Sequence, residues 1–118
     1  MIGFGVRVGL AAFATSLVMA GGPASAADAA RGKTLFTEKY GCFQCHGTQG
    51  QGSFVTGPKL APNPMPYEAL ANFVRTSARA MPPYPEAILP NEDLADMYAY
   101  LESIKPAQDY KSIPLLND

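Results

Sequence analysis

Apolar side chains recur at three- and four-residue spacing along NEDLADMYAYLESIKP, where Leu94, Met97, Tyr98, Leu101 and Ile104 fall on one helical stripe. Asn91 is placed to cap the start of this helix, Glu92 and Asp93 suit the positive end of its dipole, and Pro106 stops it. A second amphipathic stretch runs from about Tyr67 to Arg75, with Tyr67, Leu70, Phe73 and Val74 on one side. The segments between are rich in Pro and Gly, with no strand-like alternation, no internal repeat and no low-complexity run. At the N-terminus, Val8 to Ala20 is apolar apart from Thr15 and Ser16; it follows a start that is charged at Arg7 and precedes small residues at Ala24 and Ala26. That order is the pattern of a secretory signal peptide, and the apolar run is shorter than the ~20 residues that span a bilayer. Residues 1–26 are therefore expected to be cleaved, leaving 27–118 as an exported chain with no membrane span.

The whole sequence has 118 residues, enough for one domain, with nine Lys+Arg against ten Asp+Glu. Such a balance gives no reason to expect a nucleic-acid partner. Both cysteines and the only histidine stand within five positions, in GCFQCHG. An oxidising compartment would join two free cysteines, but a thioredoxin-type C-x-x-C calls for a βαβ setting that the chain lacks. A structural zinc site calls for four ligands, and only three are at hand. The C-x-x-C-H reading uses all three: Cys42 and Cys45 bond to the vinyl groups of one haem c, and His46 coordinates its iron.

What such a haem does depends on its sixth ligand. No second histidine and no spare cysteine exist, and loss of the signal segment leaves Met65, Met81 and Met97. Met97 belongs to the apolar stripe of its helix and reads as core. Met65 and Met81 both lie in Pro-rich loops. Met81 is favoured, because Pro82 and Pro83 stiffen the strap that carries it and the helix before it can line the haem plane. Met65, in PNPMPYE, is the second candidate, and an open site is the third.

Taken in order, GKTLF, CFQCH, GPKL, RAMPPY and LADMYAYLESI resemble the small class I cytochromes c of the single-haem bacterial type, over roughly residues 29–105. The resemblance implies an all-α cytochrome c fold of about three helices around one covalent haem, with the domain at 27–104 and a tail at 105–118. It implies a close crossing of Gly32 with Tyr100 or Tyr98 of the last helix, and a carbonyl of Pro58 that accepts the second ring N–H of His46. The tryptophan that holds a haem propionate in many members is missing; Tyr67, Arg75 or Arg79 stand in for it, although the two arginines read first as solvated helix charges. Tyr67, Phe36, Phe54 and Leu60 are expected to fill the haem pocket. Gly47, Gly50, Gly52 and Gly57 are expected to serve turns.

Ligation by His46 and Met81 leaves no vacant position on the iron. The expected function is therefore one-electron transfer in the bacterial periplasm, by a protein without chemistry of its own. It would act as a free carrier or as the haem subunit of a periplasmic dehydrogenase, meeting redox protein partners near the CFQCH and MPPY loops. The competing function is a haem enzyme or gas sensor whose sixth ligand can be displaced. In the tail, Ile113, Leu115 and Leu116 are either packed on the chain's own domain or docked into a larger protein.

Overall fold

Asp28 opens the first helix: its carboxylate accepts from the backbone N–H groups of Ala30 and Arg31 at 2.8 and 3.2 Å, satisfying two donors that have no partner within the helix. Helix α1 (Ala29–Thr34) then runs on as a π-helical turn over Leu35–Lys39, closed by Tyr40 N–H donating to the Leu35 carbonyl at 2.9 Å. The computed structural model describes residues 1–3, 5 and 26–116, so most of the expected signal segment, residues 1–26, lies outside the described residues. Helix α2 (Phe43–His46) is a single turn, α3 spans Tyr67–Thr76, α4 spans Asn91–Ser103, and 3-10 turns follow at Tyr110–Ser112 and Pro114–Leu116. Among the described residues there is no strand, only an isolated bridge between Ser53 and Gly57, and no helix is long and apolar enough to cross a membrane. The chain is helical as expected. Among the described residues it carries four α-helical segments where about three were anticipated, the addition being the turn α2, which is too short to leave a periodic signal.

The α1–α4 crossing is tight because Gly32 has no side chain. A Cβ there would come within 1.9 Å of the Asp96 carbonyl oxygen and 2.9 Å of the Met97 nitrogen. The close crossing of Gly32 with the last helix is present, and its nearest atoms there are the backbone of Asp96 and Met97. The aromatic contact lies one turn on, where the Phe36 and Tyr100 rings sit 5.9 Å apart at 56°.

Asp93 and Asp96, three apart on α4, face α1 and are buried, with Asp93 only 1% exposed. Arg31 reaches both carboxylates, Lys39 Nζ donates to Asp93 at 2.8 Å, the Tyr40 hydroxyl donates to it at 2.6 Å, and the Asp28 N–H donates to Asp96 at 2.7 Å. Burial pushes the Asp93 carboxyl upward, but the bonds from Lys39, Tyr40 and Arg31 outweigh it and hold the group at about 2.

Two boundary expectations for α4 need correction. Asn91 is the first helical residue rather than the cap, the cap position being Pro90, and its side-chain amide is taken up by Arg75 and Glu86. The helix ends at Ser103, whose hydroxyl donates back to the Tyr100 carbonyl at 2.6 Å, with Ile104 already extended. Pro106 restricts Lys105 before it, so the helix stops short of both. The stripe itself packs inward: Leu94, Met97 and Leu101 are buried with Leu35, Phe36, Leu70, Val74 and Leu89.

Candidate haem site

The motif occupies α2. His46 N–H donates to the Cys42 carbonyl at 3.1 Å, and Gly47 N–H closes the turn on the Phe43 carbonyl at 2.8 Å. His46 is buried, and its Nδ1 lies 2.8 Å from the Pro58 carbonyl oxygen. A carbonyl can only accept, so Nδ1 carries the hydrogen and Nε2 keeps its lone pair for a metal. Gly57 permits this contact. A Cβ at that position would stand 2.9 Å from the Cys45 carbonyl oxygen and 3.2 Å from His46 Nδ1, forcing the loop and Pro58 away from the imidazole. Thr56 fastens the same loop by donating from Oγ1 to the Cys45 carbonyl at 2.7 Å.

His46 lines a cavity of about 250 Å³ together with Cys42, Met65, Met81 and Met97, and with a wall drawn from Phe36, Leu60, Leu70, Phe73, Val74, Leu89, Leu94 and Leu101. Among the described residues Lys59, beside Pro58, is the one lysine, arginine or carboxylate on this lining. Cys42 is half-buried and Cys45 exposed. An apolar hollow with two thiols at C-x-x-C spacing, an imidazole with Nε2 unengaged and thioethers on the same lining fits a haem bound through its vinyl groups and iron.

The four site residues expected from sequence do not all stand alike. Cys42, His46 and Met81 share the cavity, while Cys45 is on the outer side of the turn. Met97 is buried as expected of a core residue, yet it also borders the cavity; Met65 borders it and is 47% exposed. Two expected pocket fillers are corrected. Phe54 is fully exposed at the tip of the Ser53–Gly57 loop, and Tyr67 is not among the residues lining the cavity but packs edge-on against Tyr98 at 5.3 Å. Arg75 is not a free helix charge either: its guanidinium donates to the Tyr84 carbonyl at 2.6 Å and to Asn91 Oδ1 at 2.8 Å. Sequence reasoning missed Leu89 and Tyr84 on the lining. Both sit in irregular chain, where periodicity gives no signal.

A family model described as "Cytochrome C oxidase, cbb3-type, subunit III" matches residues 27–101, most of the chain and all of the site just described. The chain belongs to this family. It is a c-type cytochrome domain, the kind of protein that binds haem c covalently and transfers electrons. Searches of curated proteins and of solved structures found no match.

Proposed function

We propose that this cytochrome passes single electrons in the periplasm through one haem c attached at Cys42 and Cys45, with His46 and Met81 as axial ligands. The observation that carries the reading is the Pro58–His46 bond, which leaves Nε2 as the free nitrogen of a buried imidazole on the same cavity as Met81. Met81 is favoured over its neighbours on the lining because its strap is fastened: Ser77 Oγ donates to the Met81 carbonyl at 2.8 Å, and Tyr84 N–H donates to the Val74 carbonyl at 2.9 Å. Met97 is committed to the core of α4, and Met65 stands half in solvent. When bound, the haem supplies a one-electron iron couple, and a thioether opposite histidine raises its potential. Around it, Leu70, Val74, Leu89 and Leu94 exclude water from the pocket.

The signal-like N-terminus supports export. The matched family's description names a subunit of an oxidase, which supports work beside a larger redox protein; we take the electron donor to be a periplasmic dehydrogenase. Among the described residues none beyond Leu101 lines the cavity, and Leu115 and Leu116 of the tail are exposed, which favours docking of the tail over its serving as a strap across its own haem.

The ligand pair is tested by alanine substitution in the holoprotein. Met81→Ala is expected to abolish the thioether-to-iron charge-transfer band of the ferric spectrum and to lower the potential, with Met65→Ala leaving both in place. The reverse outcome would assign the iron to Met65.

A further inference from the structure

Between α3 and α4 the chain runs through RAMPPYPEAILP. Pro82 and Pro83 lack N–H groups, so Met81–Tyr84 has only the N–H groups of its two end residues with which to bind to the rest of the fold. Both ends are held from the last turn of α3. Ser77 takes the Met81 carbonyl at 2.8 Å, Val74 takes the Tyr84 N–H at 2.9 Å, and Arg75 takes the Tyr84 carbonyl at 2.6 Å. The second terminal nitrogen of Arg75 donates to Asn91 Oδ1 at 2.8 Å, and Asn91 Nδ2 donates in turn to Glu86 Oε1 at 2.8 Å. One planar guanidinium thereby ties the end of the methionine strap, the C-terminus of α3 and the N-terminus of α4 to one another.

We infer that Arg75 is a positioning residue for the axial thioether: its fork, closed on Tyr84 and Asn91, holds the Met81 strap against the haem pocket and slows departure of the sulfur from iron. The inference rests on the reading of Met81 as ligand. A thioether is neutral and binds iron without help from charge, so its residence depends on how tightly the backbone behind it is held. The Tyr84 carbonyl is the point of greatest leverage, because it stands on the far side of two prolines whose fixed φ angles transmit its position back to Met81. A charge-assisted bond to that carbonyl is stronger than a neutral one. Lysine could not replace it: an ammonium is a point donor and does not span Tyr84 and Asn91 with a fixed geometry. This employment also takes Arg75 out of the candidates for a propionate contact.

The test uses ferric holoprotein and the rate of imidazole binding to iron, which requires the methionine to leave, with the guanidinium-unfolding midpoint measured on the same samples. Arg75→Leu removes both contacts of the fork and is expected to speed imidazole binding by about tenfold and to weaken the charge-transfer band. Arg75→Lys should give an acceleration of about threefold or more, since one of the two contacts is lost. Tyr40→Phe removes a hydrogen bond to Asp93 that is no part of the Arg75 fork, and should leave the imidazole rate unchanged while lowering the unfolding midpoint. If Arg75→Leu does not yield holoprotein, Arg75→Lys against Tyr40→Phe decides the matter. Wild-type imidazole rates in the arginine variants, or an equal acceleration in Tyr40→Phe, would overturn the positioning role. Met81→Ala measured alongside separates the two claims: if it keeps the charge-transfer band, the ligand reading itself falls, and if it loses the band while the arginine variants bind imidazole at the wild-type rate, only the role of Arg75 does.

Discussion

Asp93 is the residue on which the α1–α4 crossing turns, and its environment sets a pH window. An unfolded aspartate titrates near ~3.9, while the donors around Asp93 hold the folded group at about 2. The folded chain therefore takes up this proton later than the unfolded chain, so the stabilisation is complete above about pH 4 and fades as pH falls towards 2. The difference corresponds to about 2 kcal/mol. Arg31 and Lys39 keep 43% and 55% of their side chains in solvent, so after removal of the carboxylate they relax into water rather than remain as buried charges. Asp93→Asn is accordingly expected to lose about 2 kcal/mol at neutral pH and to show a flatter stability profile between about pH 4 and 2 in denaturant unfolding. A variant with the same acid slope as the wild type would show that the cluster contributes nothing to acid stability. Asp93 was legible as a charge near a helix start, but its burial was not: the three donors come from a helix more than fifty positions away, and spacing within α4 carries no trace of them.

Among the elements, what could be read in advance is what leaves a periodic or chemical mark. The stretch Tyr67–Arg75 fell one residue short of α3, Tyr67–Thr76, because four apolar residues on one face define a helix wherever it packs. The turn α2 has no periodicity in four residues, yet Cys42, Cys45 and His46 announce it chemically. Phe54 misled for a physical reason: hydrophobicity ranks it as a filler, but the Ser53–Gly57 bridge and the anchoring of Thr56 to Cys45 turn its loop tip outwards. Likewise the links of Arg75 to Tyr84 and Asn91 join residues nine and sixteen positions apart through irregular chain. The tail is the element whose task is least local. Its exposed Leu115 and Leu116 suit docking into a partner. Truncation after Lys105 is expected to leave the haem spectrum intact and to slow electron transfer from the dehydrogenase proposed as its donor. Unchanged rates, together with recovery of monomer only from the native periplasm, would leave a freely diffusing carrier.

At the scale of the whole molecule, a small helical domain encloses an apolar cavity on which an imidazole and three thioethers converge, and the thiols that would tether a haem flank its turn. Charge is nearly balanced over the chain, so long-range steering has little to act on and encounters depend on apolar contact. The central claim is that both axial positions are held by the protein, which makes the domain a conduit for electrons and closes it to small ligands. The most direct test is a titration of the purified ferric and ferrous protein with cyanide and carbon monoxide at modest concentration, followed by absorption spectroscopy. The predicted result is a ferric thioether charge-transfer band that persists unshifted through the cyanide titration, and a ferrous absorption spectrum that carbon monoxide leaves unchanged. Rapid binding of cyanide with loss of that band, or of carbon monoxide with a shift of the ferrous spectrum, would contradict the account and point to a haem enzyme or gas sensor with a displaceable sixth ligand.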